Sequence, residues 1–85
     1  MVKALIAPHA GLEYCGEVQA RGYINIDDPS AYQTIFLLGP SHHTGVSSCA
    51  LSSATHYETP LGDLEIDLEI VNELKQSRLF TDFSR

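Results

Sequence analysis

The sequence is poor in basic residues. Five Lys and Arg stand against eleven Asp and Glu, which gives a formal charge of −6 at pH 7. A sequence-independent grip on DNA or RNA requires clustered Lys and Arg side chains. The basic residues here are instead spread along the chain: Lys3, Arg21, Lys75, Arg78 and Arg85. We therefore expect no nucleic-acid partner.

Long apolar runs and cysteine-rich patterns are also lacking. No stretch approaches the roughly 18 apolar residues that cross a bilayer. The apolar start of the chain is cut short by Pro8, well below the length of a signal peptide. The sequence thus predicts a cytoplasmic protein without a membrane span. Its two cysteines, Cys15 and Cys49, would stay reduced there, and they do not have the spacing of a metal finger.

Two short apolar runs, residues 2–8 and 33–39, are typical of strands buried on both faces. Between them, residues 14–24 favour a helix. Strand, helix and strand at this distance predict a βαβ unit, with two adjacent parallel strands and a right-handed crossover.

The second half of the chain predicts shorter elements. Residues 49–54 and 56–66 are candidate strands, and the second contains a Pro-Leu-Gly turn. Asp67 is predicted to be the N-cap of a helix with an apolar stripe, and no strand is predicted after that helix. The fold class is therefore α/β: a βαβ unit of a parallel sheet, short additional strands and a C-terminal helix, in a single domain of residues 1–85.

Histidines follow both predicted strands. His9 comes after the first, and the doublet His42 and His43 comes after the second. Ligands of open parallel sheets bind beyond the carboxyl ends of the strands, so neighbouring strands would bring His9 and His42 together. Imidazole is a common metal ligand and general base. The alternative is that they are ordinary loop histidines, and His43 should face away from His42 because side chains alternate in extended backbone.

Four motifs occur in an order that resembles the Memo family (mediator of ErbB2-driven cell motility). They are APHAG followed by YCG (7–16), IFLLGPSHH (35–43), CALSS (49–53) and YETPLGDLEID (57–67). The resemblance implies a fold similar to that of the class III extradiol dioxygenases. It assigns His9 and His42 to a pocket for iron or copper. From their place in the chain, Glu13, Tyr14 and Cys15 are candidates for a third ligand, and Tyr14, Cys15 and His43 are predicted to line the pocket. The resemblance also implies a cytoplasmic signalling component in cell motility that binds a phosphotyrosine peptide of a receptor.

The sequence departs from the family pattern in two ways. Leu12 stands where family members usually have an aromatic residue, and the chain is much shorter than they are. The cysteine that completes the family's metal site lies beyond it, which predicts an N-terminal fragment of a larger α/β domain. Three interpretations stay open: a binding module for a peptide and a metal, a metal-dependent (iron or copper) oxidoreductase, and an inactive truncated fragment.

Overall fold

The structure, a computed structural model, describes residues 1–83 and is mixed α/β, as predicted. It divides into two compact units, Met1–Gly39 and Pro40–Arg85. The first unit contains helix α1 and one turn of 3-10 helix. The second contains strands β1 to β4 and helix α2. In chain order the elements are α1 (Leu12–Tyr23), the 3-10 turn (Pro29–Ala31), β1 (Cys49–Leu51), β2 (His56–Thr59), β3 (Gly62–Glu65), α2 (Leu68–Gln76) and β4 (Phe80–Asp82). That residues 1–85 belong to a single domain stays a prediction.

Helix α1 confirms the helix predicted between the two apolar runs. Glu13 in its first turn and Arg21 in its last turn both complement the helix dipole. The helix begins after Gly11, whose carbonyl accepts from the N–H groups of Tyr14 and Cys15. At the other end, the side chain of Asn25 donates to the Arg21 carbonyl at 2.8 Å. Both ends are thus satisfied within a few residues of chain.

The two apolar runs that flank α1 are not strands, so the prediction of adjacent parallel strands at 2–8 and 33–39 is wrong. The two runs nevertheless line the same cavity, and the Tyr32 hydroxyl donates to the Val2 carbonyl. Runs that are apolar throughout belong to sheets covered on both faces. An isolated two-stranded pair is at best marginal in water. Within residues 1–39, α1 is the one α-helix that could cover a face of such a sheet. One helix is not enough to stabilise a two-stranded pair on both faces.

A β-hairpin and a capped helix in the second unit agree with the sequence. β2 and β3 pair antiparallel, with Tyr57 opposite Leu64. The Asp67 carboxylate accepts from the Ile70 N–H at 3.2 Å, which confirms it as the N-cap of α2. Arg78 ends this segment in the left-handed region, at φ 62°.

The structure adds strand β4 after α2, where the sequence predicted none. β4 pairs in parallel with β1, and Cys49 lies opposite Phe80. The hairpin and α2 lie in the connection, so the parallel pair of this fold is formed here rather than around α1. Lys75 on α2 contacts Asp82 at 3.6 Å. Ser84 and Arg85, the last residues of the segment predicted to lack a strand, lie outside the described residues.

Little of the chain is buried. Among the hydrophobic residues of 1–83, Cys15 is the one that is buried, with 7% of its surface exposed. Large apolar side chains of both units remain in contact with solvent. Within the described part of the chain, no helix has the length and apolar character to cross a membrane. The elements therefore depend mainly on local hydrogen bonds.

Gly62 provides a test of the hairpin. It sits at φ +127°, a conformation that side-chain-bearing residues rarely adopt, although a Cβ there would meet no atom within 4 Å. We expect Gly62→Ala to destabilise the hairpin by about 1–3 kcal/mol through backbone strain alone. Loss of the NMR contacts between Tyr57 and Leu64 would report it. Gly45→Ala is the matched control, because Gly45 has equally open surroundings without a positive φ. Equal effects of both changes would contradict this role of Gly62.

Candidate functional site

His9 lies in the loop that leads into α1. The loop contains Ala10 and Gly11, and His9 is exposed to solvent. The Tyr14 ring lies against Gly11: a Cβ built on that glycine would be 3.5 Å from Tyr14 Cδ2. A side-chain carbon at this position would make ordinary van der Waals contact with the ring. Tyr14 is otherwise 80% exposed, so it borders the histidine loop from the solvent side.

Cys15 fastens this loop to α1. Its thiol donates to the Ala10 carbonyl at 3.2 Å, and the Gln19 amide donates to Cys15 Sγ at 3.0 Å. One buried sulfur therefore connects the residue next to His9 with the following turn of the helix. Since the thiol already has a donor and an acceptor role, Cys15 serves here to hold the loop.

The histidine doublet lies in a short turn of the second unit. The Ser41 hydroxyl donates to the Thr44 carbonyl, which closes the segment that contains His42 and His43. Both histidines are exposed. Ser side chains often bond backbone groups close to them in sequence. The turn is thus fixed by its own residues.

The described residues do not supply a complete metal site. His9 and His42 belong to different units, and their sharing of one ion stays a prediction. Within residues 1–83, no three His, Cys, Asp or Glu side chains are grouped in a way that would hold a metal ion. Imidazole nitrogens suit iron and copper chemically, but two of them hold a transition metal only weakly. The donor type fits a metal, and the donor number does not.

A cavity in the first unit was not predicted from the sequence. Its volume is about 620 Å³, within the usual range for small-molecule pockets. Apolar and aromatic residues dominate its lining, which includes residues 2–5, residues 34–38, Tyr23, Ile26 and Tyr32. The two apolar runs supply much of the lining, so they were the sequence feature that could have indicated the cavity. Their pattern predicts strands, however, and carries no information about a space between them.

The chain is thus a mixed α/β protein with histidines in two short loops. Comparison with known proteins identifies its family. The family model described as Memo-like protein matches residues 1–85, and the chain belongs to this Memo family. It is 51% identical to Protein MEMO1 of Homo sapiens over 82 residues, which is 96% of this chain and 27% of that protein.

Two further relatives show the range of the similarity. Protein MEMO1 of Xenopus laevis is 46% identical over 82 residues, again 96% of this chain and 27% of the relative. The Protein memo-1 homolog of Caenorhabditis elegans is 45% identical over 78 residues, 92% of this chain and 22% of the relative. The chain thus spans about a quarter of the length of the curated relatives it matches. No solved structure matches it significantly.

The two thiols should differ in reactivity. Cys15 is buried and hydrogen-bonded, whereas Cys49 is exposed. We expect a disulfide reagent to modify Cys49 roughly tenfold or more faster than Cys15, because the reagent reaches a buried thiol only after local opening.

The reaction followed by absorbance should show a fast and a slow phase, and single cysteine variants assign each phase to one thiol. Cys49→Ala should leave the slow phase and Cys15→Ala the fast one, and denaturant should make the two rates of the parent equal. Equal rates in the native chain would show that Cys15 does not fasten the loop.

Proposed function

We propose that this chain contributes the histidine pocket of a Memo-type signalling protein, in which His9 and His42 donate to one iron or copper ion. The observation that carries this proposal is the extent of the family match. An alignment of 82 residues out of 85 leaves out three at most, so it spans both histidine loops. This extent supports assigning to these loops the pocket that the family resemblance implies.

The local structure around each histidine supports the proposal. The His9 loop is fastened by Cys15, and the His42 turn is closed by Ser41. A ligand on a loop that is already ordered loses less conformational entropy when it binds a metal. Each histidine therefore sits on a short segment held by its own neighbours.

The number of donors limits how strongly the chain binds metal. Two imidazoles leave most coordination positions of iron or copper to other groups. We assign no chemical step to the ion on this basis. The binding-module function ranks ahead of the metal-dependent oxidoreductase, because oxidoreductase chemistry needs further ligands from outside the described residues. The fold likeness to class III extradiol dioxygenases stays a prediction, since no solved structure matches.

Calorimetric titration with copper(II) tests the histidine assignment. We expect weak binding by the parent chain and a loss of about tenfold or more in affinity for both His9→Ala and His42→Ala, since each removes half of the donor set. His56→Ala is the matched control, because His56 is an exposed histidine on strand β2 whose ring contacts Thr55. If His9→Ala and His42→Ala bind copper as the parent does, the metal assignment fails.

The same pocket is proposed to take a phosphotyrosine peptide, in keeping with a role in signalling for cell motility. Phosphate recognition normally depends on clustered Arg side chains. Here Arg21 pairs with Glu17 at 3.4 Å and Lys75 with Asp82 at 3.6 Å, and both pairs are solvent-exposed. The net charge of −6 also opposes an anionic ligand. The peptide would therefore bind weakly to this chain.

Fluorescence anisotropy with a labelled phosphotyrosine peptide tests this part separately. We expect a response that weakens as salt is raised, because charge attraction must supply the selectivity for phosphate. The unphosphorylated peptide of the same sequence is the control. A response of equal size from both peptides would remove the phosphopeptide from the proposal and leave the metal assignment untouched.

A further inference from the structure

Two consecutive side-chain hydrogen bonds, here named the thiol relay, connect helix α1 with the loop that carries His9. The Gln19 amide donates to Cys15 Sγ at 3.0 Å, and the Cys15 thiol donates to the Ala10 carbonyl at 3.2 Å. Linked hydrogen bonds polarise one another, so the amide that donates to the sulfur strengthens the bond from the thiol to the loop. Cys15 is buried and Gln19 is half-buried, so water competes little for either contact.

The start of α1 lacks the usual side-chain cap. Its N-cap is Gly11, which forms no side-chain hydrogen bond to the first turn. The thiol relay reaches one residue further back, to the carbonyl of Ala10. Because Ala10 directly follows His9, a fixed Ala10 carbonyl restrains the backbone from which the His9 ring extends. The order of the histidine loop therefore depends on a side chain in the helix.

We propose that Cys15 and Gln19 are positioning residues for His9, which hold its loop in the geometry in which the imidazole binds metal. This inference rests on the histidine pocket proposed above. Hydrogen bonds that orient a metal ligand raise the affinity of the site, although the groups that form them do not touch the ion. Cys15 acts through the loop and not as a ligand, because a metal ligand is a thiolate and this thiol uses its proton in the bond to Ala10.

Calorimetric titration with copper(II) measures the effect on the site. Cys15→Ala should weaken copper binding about three- to tenfold, as expected for one lost hydrogen bond, with an unchanged helix signal in circular dichroism. Cys15→Ser keeps a donor near Ala10 and should retain most of the parent's affinity. Gln19→Leu should have a smaller effect, because it removes the polarising amide alone. Val18→Ala, which truncates an exposed side chain of the same helix, is the matched control and should bind copper as the parent does.

A double-mutant cycle separates positioning from a general loss of stability. In a His9→Ala chain, Cys15→Ala should no longer change the copper affinity, because the ligand that it positions is gone. In a His42→Ala chain, the same change should keep its full effect. An equal effect in both backgrounds would indicate a stability defect and overturn the proposal. A Cys15→Ser chain that binds as weakly as Cys15→Ala would also overturn it, because the thiol would then be a ligand.

Backbone order in the metal-free chain decides the positioning role without copper. The NMR order parameters of the Ala10 and Gly11 amides should fall in Cys15→Ala and keep the parent's values in Cys15→Ser, while those of residues 41–45 stay unchanged. Unchanged order of the Ala10 amide in Cys15→Ala would refute the positioning role. If His9→Ala binds copper as the parent does, the proposed pocket fails instead, and the order parameters alone then decide whether the thiol relay holds the loop.

Discussion

Hydrogen bonds between residues close in sequence carry most of the order in this chain. Cys15 is the one buried hydrophobic residue among those described, so burial contributes less than in an ordinary domain. Asn25 satisfies the end of α1, Asp67 the start of α2, and Ser77 the carbonyl of Leu74 at the end of α2. Each of these contacts spans three or four positions. A chain with a thin core retains such contacts because they lose little entropy on forming.

The same constraint shapes the candidate site. A side chain that is not held by a core needs a local device to fix it, and both histidine loops have one. The thiol of Cys15 fastens Ala10 beside His9, and Ser41 closes the turn that contains His42. Each histidine loop is thus closed by a hydrogen bond within its own unit. That the two loops contribute to one pocket stays a proposal.

The sequence predicted the elements and the family well, and the sheet poorly. Helix α1, the hairpin and the Asp67 cap all depend on patterns within about ten residues of chain. The candidate histidines came from the same local patterns. The predicted pairing of residues 2–8 with 33–39 is absent from the structure. A strand requires hydrogen-bonded neighbours as well as apolar residues. β4 was not predicted, because its three residues contain a single aromatic side chain and show no alternating apolar pattern. Its pairing with β1 makes it a strand.

By itself, the sequence determined the helices, the hairpin turn, the acidic character and the family of this protein, because each is encoded by residue types at short, fixed spacings. The tertiary structure alone decided that β1 pairs with β4, that residues 2–5 and 34–38 line one open cavity, and that Cys15 is buried. The β1–β4 pairing and the cavity depend on contacts between residues about thirty positions apart. Such contacts form only when their favourable free energy exceeds the entropic cost of closing the chain between them. A local sequence pattern cannot predict which of the two is larger.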